Sequence, residues 1–137
     1  MLYKAKNSKQ QGDIGVAFAI ACMTAKGWAV SVPLGDNQKY DLIVDTGCNL
    51  KRVQVKTSSY ARNGVYEVAL KTCGGNKSGS KTSKLDKANY DLLFVLTAES
   101  SCYLIPAESV RGNSALVLGK IYDEFKEGLG KSEPNCL

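Results

Sequence analysis

The stretch Tyr40-Asp-Leu-Ile-Val-Asp-Thr-Gly-Cys-Asn-Leu-Lys-Arg-Val-Gln-Val-Lys-Thr-Ser58 decides the fold. Two runs rich in β-branched and apolar residues, Tyr40 to Asp45 and Leu50 to Ser58, flank the turn-forming tetrapeptide Thr46-Gly-Cys-Asn49. Runs of this kind joined by a short glycine-containing turn predict a β-hairpin. Side chains alternate along a strand, so Asp41, Ile43 and Asp45 share one face, and Arg52, Gln54, Lys56 and Ser58 share one face of the second strand. A hairpin symmetric about Gly47 and Cys48 sets Asp41 opposite Gln54, with Lys56 one same-face step beyond. A carboxylate, an amide and an ammonium then converge on one spot. The plain alternative is a cross-strand ion pair between Asp41 and Lys56 on a solvated sheet face.

On the N-terminal side of the hairpin, Asp13 to Lys26 has helical periodicity, with Ile14, Ala17, Phe18, Ala21 and Cys22 on one face and Gly27 as the stop. Trp28 to Pro33 predicts a short strand, and Leu34 to Lys39 a loop. On the C-terminal side, Val65 to Lys71 predicts a strand. Residues 72–84, rich in Gly, Ser and Lys, predict a mobile basic loop. The nearly continuous apolar run from Tyr90 to Thr97 predicts a buried central strand, with Cys102 to Pro106 as its neighbour. Glu108 onward is expected to be helical or irregular, ending in a polar tail over 131–137. A helix followed by several strands is α/β (α+β) with one mixed sheet, and 137 residues suit a single domain spanning 1–137.

Composition narrows the chemistry. There is no histidine, which excludes Ser-His-Asp and Cys-His catalysis, HExxH zinc sites and any histidine base. The five cysteines, Cys22, Cys48, Cys73, Cys102 and Cys136, form no CxxC pair. Their odd number and the lack of an N-terminal apolar leader predict reduced thiols in a cytoplasmic protein, and no apolar run is long enough to span a membrane. Gly74, Gly79, Lys81 and Thr82 do not fit the phosphate-loop spacing, because Ser80 separates Gly79 from the lysine. Lys and Arg number 18 against 13 Asp and Glu, a net charge of +5. The excess gathers in a basic arm (1–11), with Lys4, Lys6 and Lys9, and in residues 71–87, with Lys71, Lys77, Lys81, Lys84 and Lys87 against Asp86 alone. Such blocks suit a polyanion, and nucleic acid is the commonest.

Phosphodiester hydrolysis on a hard metal needs oxygen ligands from one or two carboxylates, carbonyls and water. Asp41 can supply the carboxylate, Val55 a backbone carbonyl and Gln54 a neutral amide oxygen, while Lys56 can orient the attacking water or stabilise the transition-state charge. The spacing fits a nuclease without histidine, beside the plain ion-pair alternative.

Gly12-Asp-Ile-Gly15, Val32-Pro-Leu-Gly-Asp-Asn-Gln-Lys-Tyr-Asp-Leu-Ile-Val-Asp45, Arg52-Val-Gln-Val-Lys-Thr57 and Tyr103-Leu-Ile-Pro106 together resemble the PD-(D/E)XK nuclease superfamily. Within it they are most similar to the bacterial group I intron-encoded homing endonucleases, a branch related to archaeal Holliday junction resolvases. The resemblance implies a restriction-endonuclease-like core, a mixed sheet flanked by an N-terminal helix, and dependence on Mg²⁺ (or Mn²⁺). It makes Asp41 the motif aspartate and metal ligand, Gln54 the occupant of the (D/E) position and Lys56 the motif lysine. Relatives carry a glutamate directly after Gly-Asp-Ile-Gly, where this chain has Val16. That departure implies a weakened metal site, with Asp13, three residues earlier, as a partial substitute.

The expected partner is double-stranded or branched DNA. Lys4, Lys6, Lys9, Lys77, Lys81 and Lys84 are expected to meet phosphates, with Lys39, Arg52, Ser58 and Arg62 flanking the catalytic cluster. Cutting two strands takes two active sites, so a homodimer or homotetramer is expected, in a bacterial or phage-infected cytoplasm. A site-specific homing endonuclease is the leading reading, a four-way-junction resolvase the alternative. A DNA-binding protein with a weakened or inactive nuclease site is the reading from another class.

Overall fold

The computed structural model describes residues 5–76 and 79–128. Helix α1 (Ser8–Ala25) is followed by eleven strands: β1 (Ala29–Ser31), β2 (Leu42–Asp45), β3 (Leu50–Ser58), β4 (Ala61–Arg62), β5 (Val65–Ala69), β6 (Lys71–Asn76), β7 (Gly79–Lys84), β8 (Leu92–Thr97), β9 (Cys102–Pro106), β10 (Ala115–Val117) and β11 (Lys126–Glu127). Six of them form the main sheet in the order β1-β2-β3-β8-β9-β11. Only β3 and β8 run parallel in it, so the sheet is mixed as expected.

Strand β8 explains why the sheet has two covers. Its residues from Leu92 to Thr97 are all buried. Leu92, Phe94 and Leu96 point into a core roofed by Ala19 and Met23 of α1, while Leu93 and Val95 point into a second core with Val68 of β5, Leu116 of β10 and Tyr122. A strand buried on both faces has no polar positions to alternate, which is why the sequence reads as one apolar run. The second cover is the small sheet β10-β5-β4, backed by a 3-10 turn over Lys120–Phe125. The segment beyond Glu108, expected to be helical or irregular, contributes two short strands and the 3-10 turn over Lys120–Phe125.

α1 begins five residues before the expected start. Asn7 caps it by accepting from the Gln10 N–H at 2.9 Å, and Gln10 Oε1 in turn accepts from the Lys6 N–H at 2.6 Å. The first bond is an N-cap and the second ties the residue before the cap to the first turn, so Lys9 of the expected basic arm lies on the helix. Gly27, at φ +84°, ends it in a left-handed conformation favoured by glycine. Gly15 sets how closely α1 approaches β3: a Cβ there would lie 2.6 Å from Thr57 Cγ2 and 3.3 Å from Val55 Cγ1. The side chain of Gln11, one turn earlier, donates to Thr57 Oγ1 at 3.0 Å.

Two further expectations are corrected. The Gly/Ser/Lys segment expected as a loop contains β6 and β7, paired antiparallel with Lys71 opposite Lys84 and Asn76 opposite Gly79. Its ladder is backbone, which needs no apolar side chains once its root is anchored. Cys22 and Cys102 are free thiols packed against the helix-side core, as expected, but Cys48 in the β2–β3 turn is disulfide-bonded. The polar tail 131–137 lies outside the described residues. Among the described residues no helix is long and apolar enough to cross a membrane.

Candidate active site

The predicted hairpin exists with the predicted register. Leu42 pairs with Val53 and Asp45 with Leu50, which carries Asp41, the residue before β2, to the position opposite Gln54. The Asp41 N–H donates to the Val53 carbonyl at 2.9 Å, fixing its backbone to β3. Its carboxylate turns to the same strand: Oδ2 accepts from Gln54 Nε2 at 2.8 Å and from the Val55 N–H at 2.7 Å. The N–H and C=O of one residue leave a strand on the same side. The Val55 carbonyl therefore lies on the side of Asp41, as a backbone ligand requires.

The sequence reading placed the amide oxygen of Gln54 beside Asp41; the structure places its nitrogen there, because a carboxylate oxygen takes donors. Gln54 is 7% exposed. Lys56 follows on the same strand face, with Nζ donating to the Lys71 carbonyl at 2.7 Å. Burial raises the pKa of Asp41 above its ordinary value, while the Val55 N–H and the charge of Lys56 pull it down by less. The desolvation of Asp41 is therefore only partly offset by its partners.

The donors fit a hard divalent ion: the carboxylate of Asp41 and the carbonyl of Val55 both offer oxygen, while Gln54 turns its nitrogen to Asp41 and orients it. No group of three or more His, Cys, Asp or Glu side chains able to hold a metal occurs among the described residues. An ion here would rest on one carboxylate, neutral oxygens and water. Asp13 does not join the cluster. It is exposed and precedes Gly15, the contact point with β3, by two residues, or about 200° around the helix. Val16 is half-buried and packs into the helix-side core.

The expected DNA contacts divide in three. Lys6, Lys9, Lys39, Arg62 and Lys84 are exposed. Lys81 falls in β7 opposite Gly74, whereas Lys4 and Lys77 lie outside the described residues. Ser58 and Arg52 are engaged within the protein. Ser58 is 3% exposed and donates to the Glu67 carbonyl at 2.5 Å, so it is a strut between β3 and β5 and not a DNA contact. Strand alternation puts it beside Lys56, but the small sheet covers that end of the face.

Arg52 grips Asp91. Its Nε and Nη2 reach the two carboxylate oxygens at 3.2 Å each, its backbone N–H reaches Oδ2 at 2.8 Å, and Nη1 reaches the Ala88 carbonyl at 2.9 Å. The Arg52 side chain, with its backbone N–H, holds the Asp91 carboxyl below its ordinary pKa. Sequence reasoning gives no contact for Asp91 or Gln11, and names Lys71 only within the basic block and Thr57 only within the quoted motif segment. Asn7 with Gln10 was the one local signal that could have extended the helix toward Gln11.

A model of the PD-(D/E)XK endonuclease family matches residues 6–125. The chain belongs to that family. Among solved structures it is similar to a bacterial homing endonuclease, I-Ssp6803I, with a TM-score of 0.69 and 27% identity over 94% of this chain and 85% of that one. No curated protein matches. The matched range contains Asp41, Gln54 and Lys56, and the hairpin register sets Asp41 against Gln54 with Lys56 next on the same face.

Proposed function

We propose that this PD-(D/E)XK endonuclease is a divalent-metal-dependent DNA endonuclease of the site-specific homing type. The observation that carries the reading is the junction at Asp41, where Oδ2 binds Gln54 Nε2 and the Val55 N–H while burial raises its pKa. Asp41 Oδ1 and the Val55 carbonyl would hold Mg²⁺ or Mn²⁺, with Gln54 orienting the carboxylate. A bound divalent ion supplies Lewis-acid charge and a more acidic water. Lys56 supplies a fixed cation against the negative charge that builds on the phosphate. Lys6, Lys9, Lys39, Arg62 and Lys84 add sequence-independent contacts to the DNA backbone. Cutting both strands takes two such sites, so the working form is a dimer or tetramer.

Val16 favours a second reading. Its side chain packs into the helix-side core at the position where an acid is expected, which supports a protein that keeps DNA binding with a weakened nuclease site. The test incubates purified protein with Mg²⁺ and end-labelled DNA, linear duplex beside a four-way junction, with Lys56→Ala as the blank. The expected result is cleavage of the duplex that drops by roughly 10²–10³-fold in the blank. Preference for the junction would make the protein a resolvase. Binding without metal-dependent cleavage on any substrate would establish the second reading.

A further inference from the structure

Strands β6 and β7 form a two-stranded sheet of their own. Six residues per strand make a ribbon about 20 Å long. Its root is firm. Leu70 is buried and Leu85 packs against the same core, with the Leu85 N–H donating to the Leu70 carbonyl at 3.0 Å and the Leu70 N–H to the Ser114 carbonyl at 2.9 Å.

The first rung of the ladder pairs Lys71 with Lys84. Directly opposed residues of an antiparallel pair project from the same face, their Cβ atoms about 5 Å apart, and like charges so placed repel. Both lysines are exposed, and among the described residues neither has an acidic partner. The carbonyl of Lys71 is also the acceptor for Lys56 Nζ. Two exposed ammonium groups on an anchored root, beside the carbonyl that holds Lys56, are an arrangement that a bound anion favours.

We propose that Lys71 and Lys84 form a shared seat for one backbone phosphate of the DNA, adjacent to the scissile site. This rests on the DNA-endonuclease reading and goes beyond it by assigning Lys71 a role and pairing it with Lys84 on a single group. A phosphate diester carries one negative charge, and lysine binds it as a flexible point charge.

The test measures binding of a short labelled duplex at several salt concentrations without Mg²⁺, for wild type, Lys71→Gln/Lys84→Gln, Lys71→Arg/Lys84→Arg and Lys120→Gln. Lys120 is an exposed lysine on the 3-10 turn. Loss of one phosphate contact flattens the log–log salt dependence by about 0.9 and weakens binding roughly tenfold near 0.1 M salt. That result is expected for the double glutamine variant alone. Its thermal midpoint should match or exceed that of wild type, since a repulsion is removed, which separates the effect from misfolding. An unchanged slope overturns the seat. A change near 2 means that the lysines take separate phosphates and overturns the shared site. Failure of wild type to bind duplex at all removes the DNA reading, and the seat with it.

Discussion

Asp41 and Asp91 both attach their carboxylates to β3, yet they titrate in opposite directions. Asp91 receives the Arg52 side chain and the Arg52 N–H, and its pKa falls. Asp41 receives one amide and one N–H while being more deeply covered, and its pKa rises. The difference teaches how one strand can satisfy one carboxylate and leave another short of charge. Asp91 is satisfied by the protein that holds it, whereas the burial of Asp41 is only partly offset by the Val55 N–H and Lys56, which suits the cation-ligand role proposed for it. At neutral pH Asp41 therefore works against the folded state. A raised folded pKa adds stability below the unfolded value and loses it as pH climbs through the folded one, whereas a lowered pKa does the reverse.

The largest break in the comparison is Asp41→Asn. Metal-dependent cleavage should fall by roughly 10²–10³-fold, the scale of losing one electrostatic element of a preorganised site. The thermal midpoint at neutral pH should nevertheless equal or exceed that of wild type, and the gap should close as pH falls. A clear loss of stability would show that Asp41 is a structural group like Asp91.

Val16→Glu sharpens the comparison by giving Asp41 a second acid to share a cation with. Calorimetric titration with Mg²⁺ should show tighter binding than wild type, and cleavage should rise with it. No gain in either would show that the helix position is not part of the site. Without metal this variant should be less stable, because it adds a charge to a half-buried place in the core.

The smallest expected effect is from Asp91→Asn. Arg52 and Asp91 are 37% and 40% exposed, so solvent screens the pair. The midpoint should drop by no more than a few degrees at pH 7. The deficit should vanish as pH falls through the lowered folded pKa of Asp91, as the sign of its shift requires. Cleavage should be retained.

Much of this was legible in the sequence for physical reasons. The hairpin register followed from the symmetric turn, so Asp41, Gln54 and Lys56 could be brought together before any coordinates. The central strand followed from the unbroken apolar run of Leu92 to Thr97. What was missed depends on distant partners or on backbone. Asp91 lies 39 residues from Arg52, and nothing local joins them. Ser58 alternates onto the face of Lys56, but burial by the small sheet is not encoded in β3 itself. The β6–β7 ribbon was read as a loop because glycine, serine and lysine are poor strand formers, yet its ladder is rooted by Leu70 and Leu85.

Among the described strands only β3 and β8 pair in parallel, and this sets where the larger entropy cost of assembly falls. Antiparallel β2–β3 closes across a short turn, whereas β8 can join β3 only after the excursion from residue 59 to residue 91 has been gathered in, with its larger loop-closure entropy. The Asp41–Gln54 and Lys56–Lys71 contacts span only 13 and 15 residues, so both belong to the local part of the chain, and the larger closure cost falls on the parallel pairing of β3 with β8 beside them.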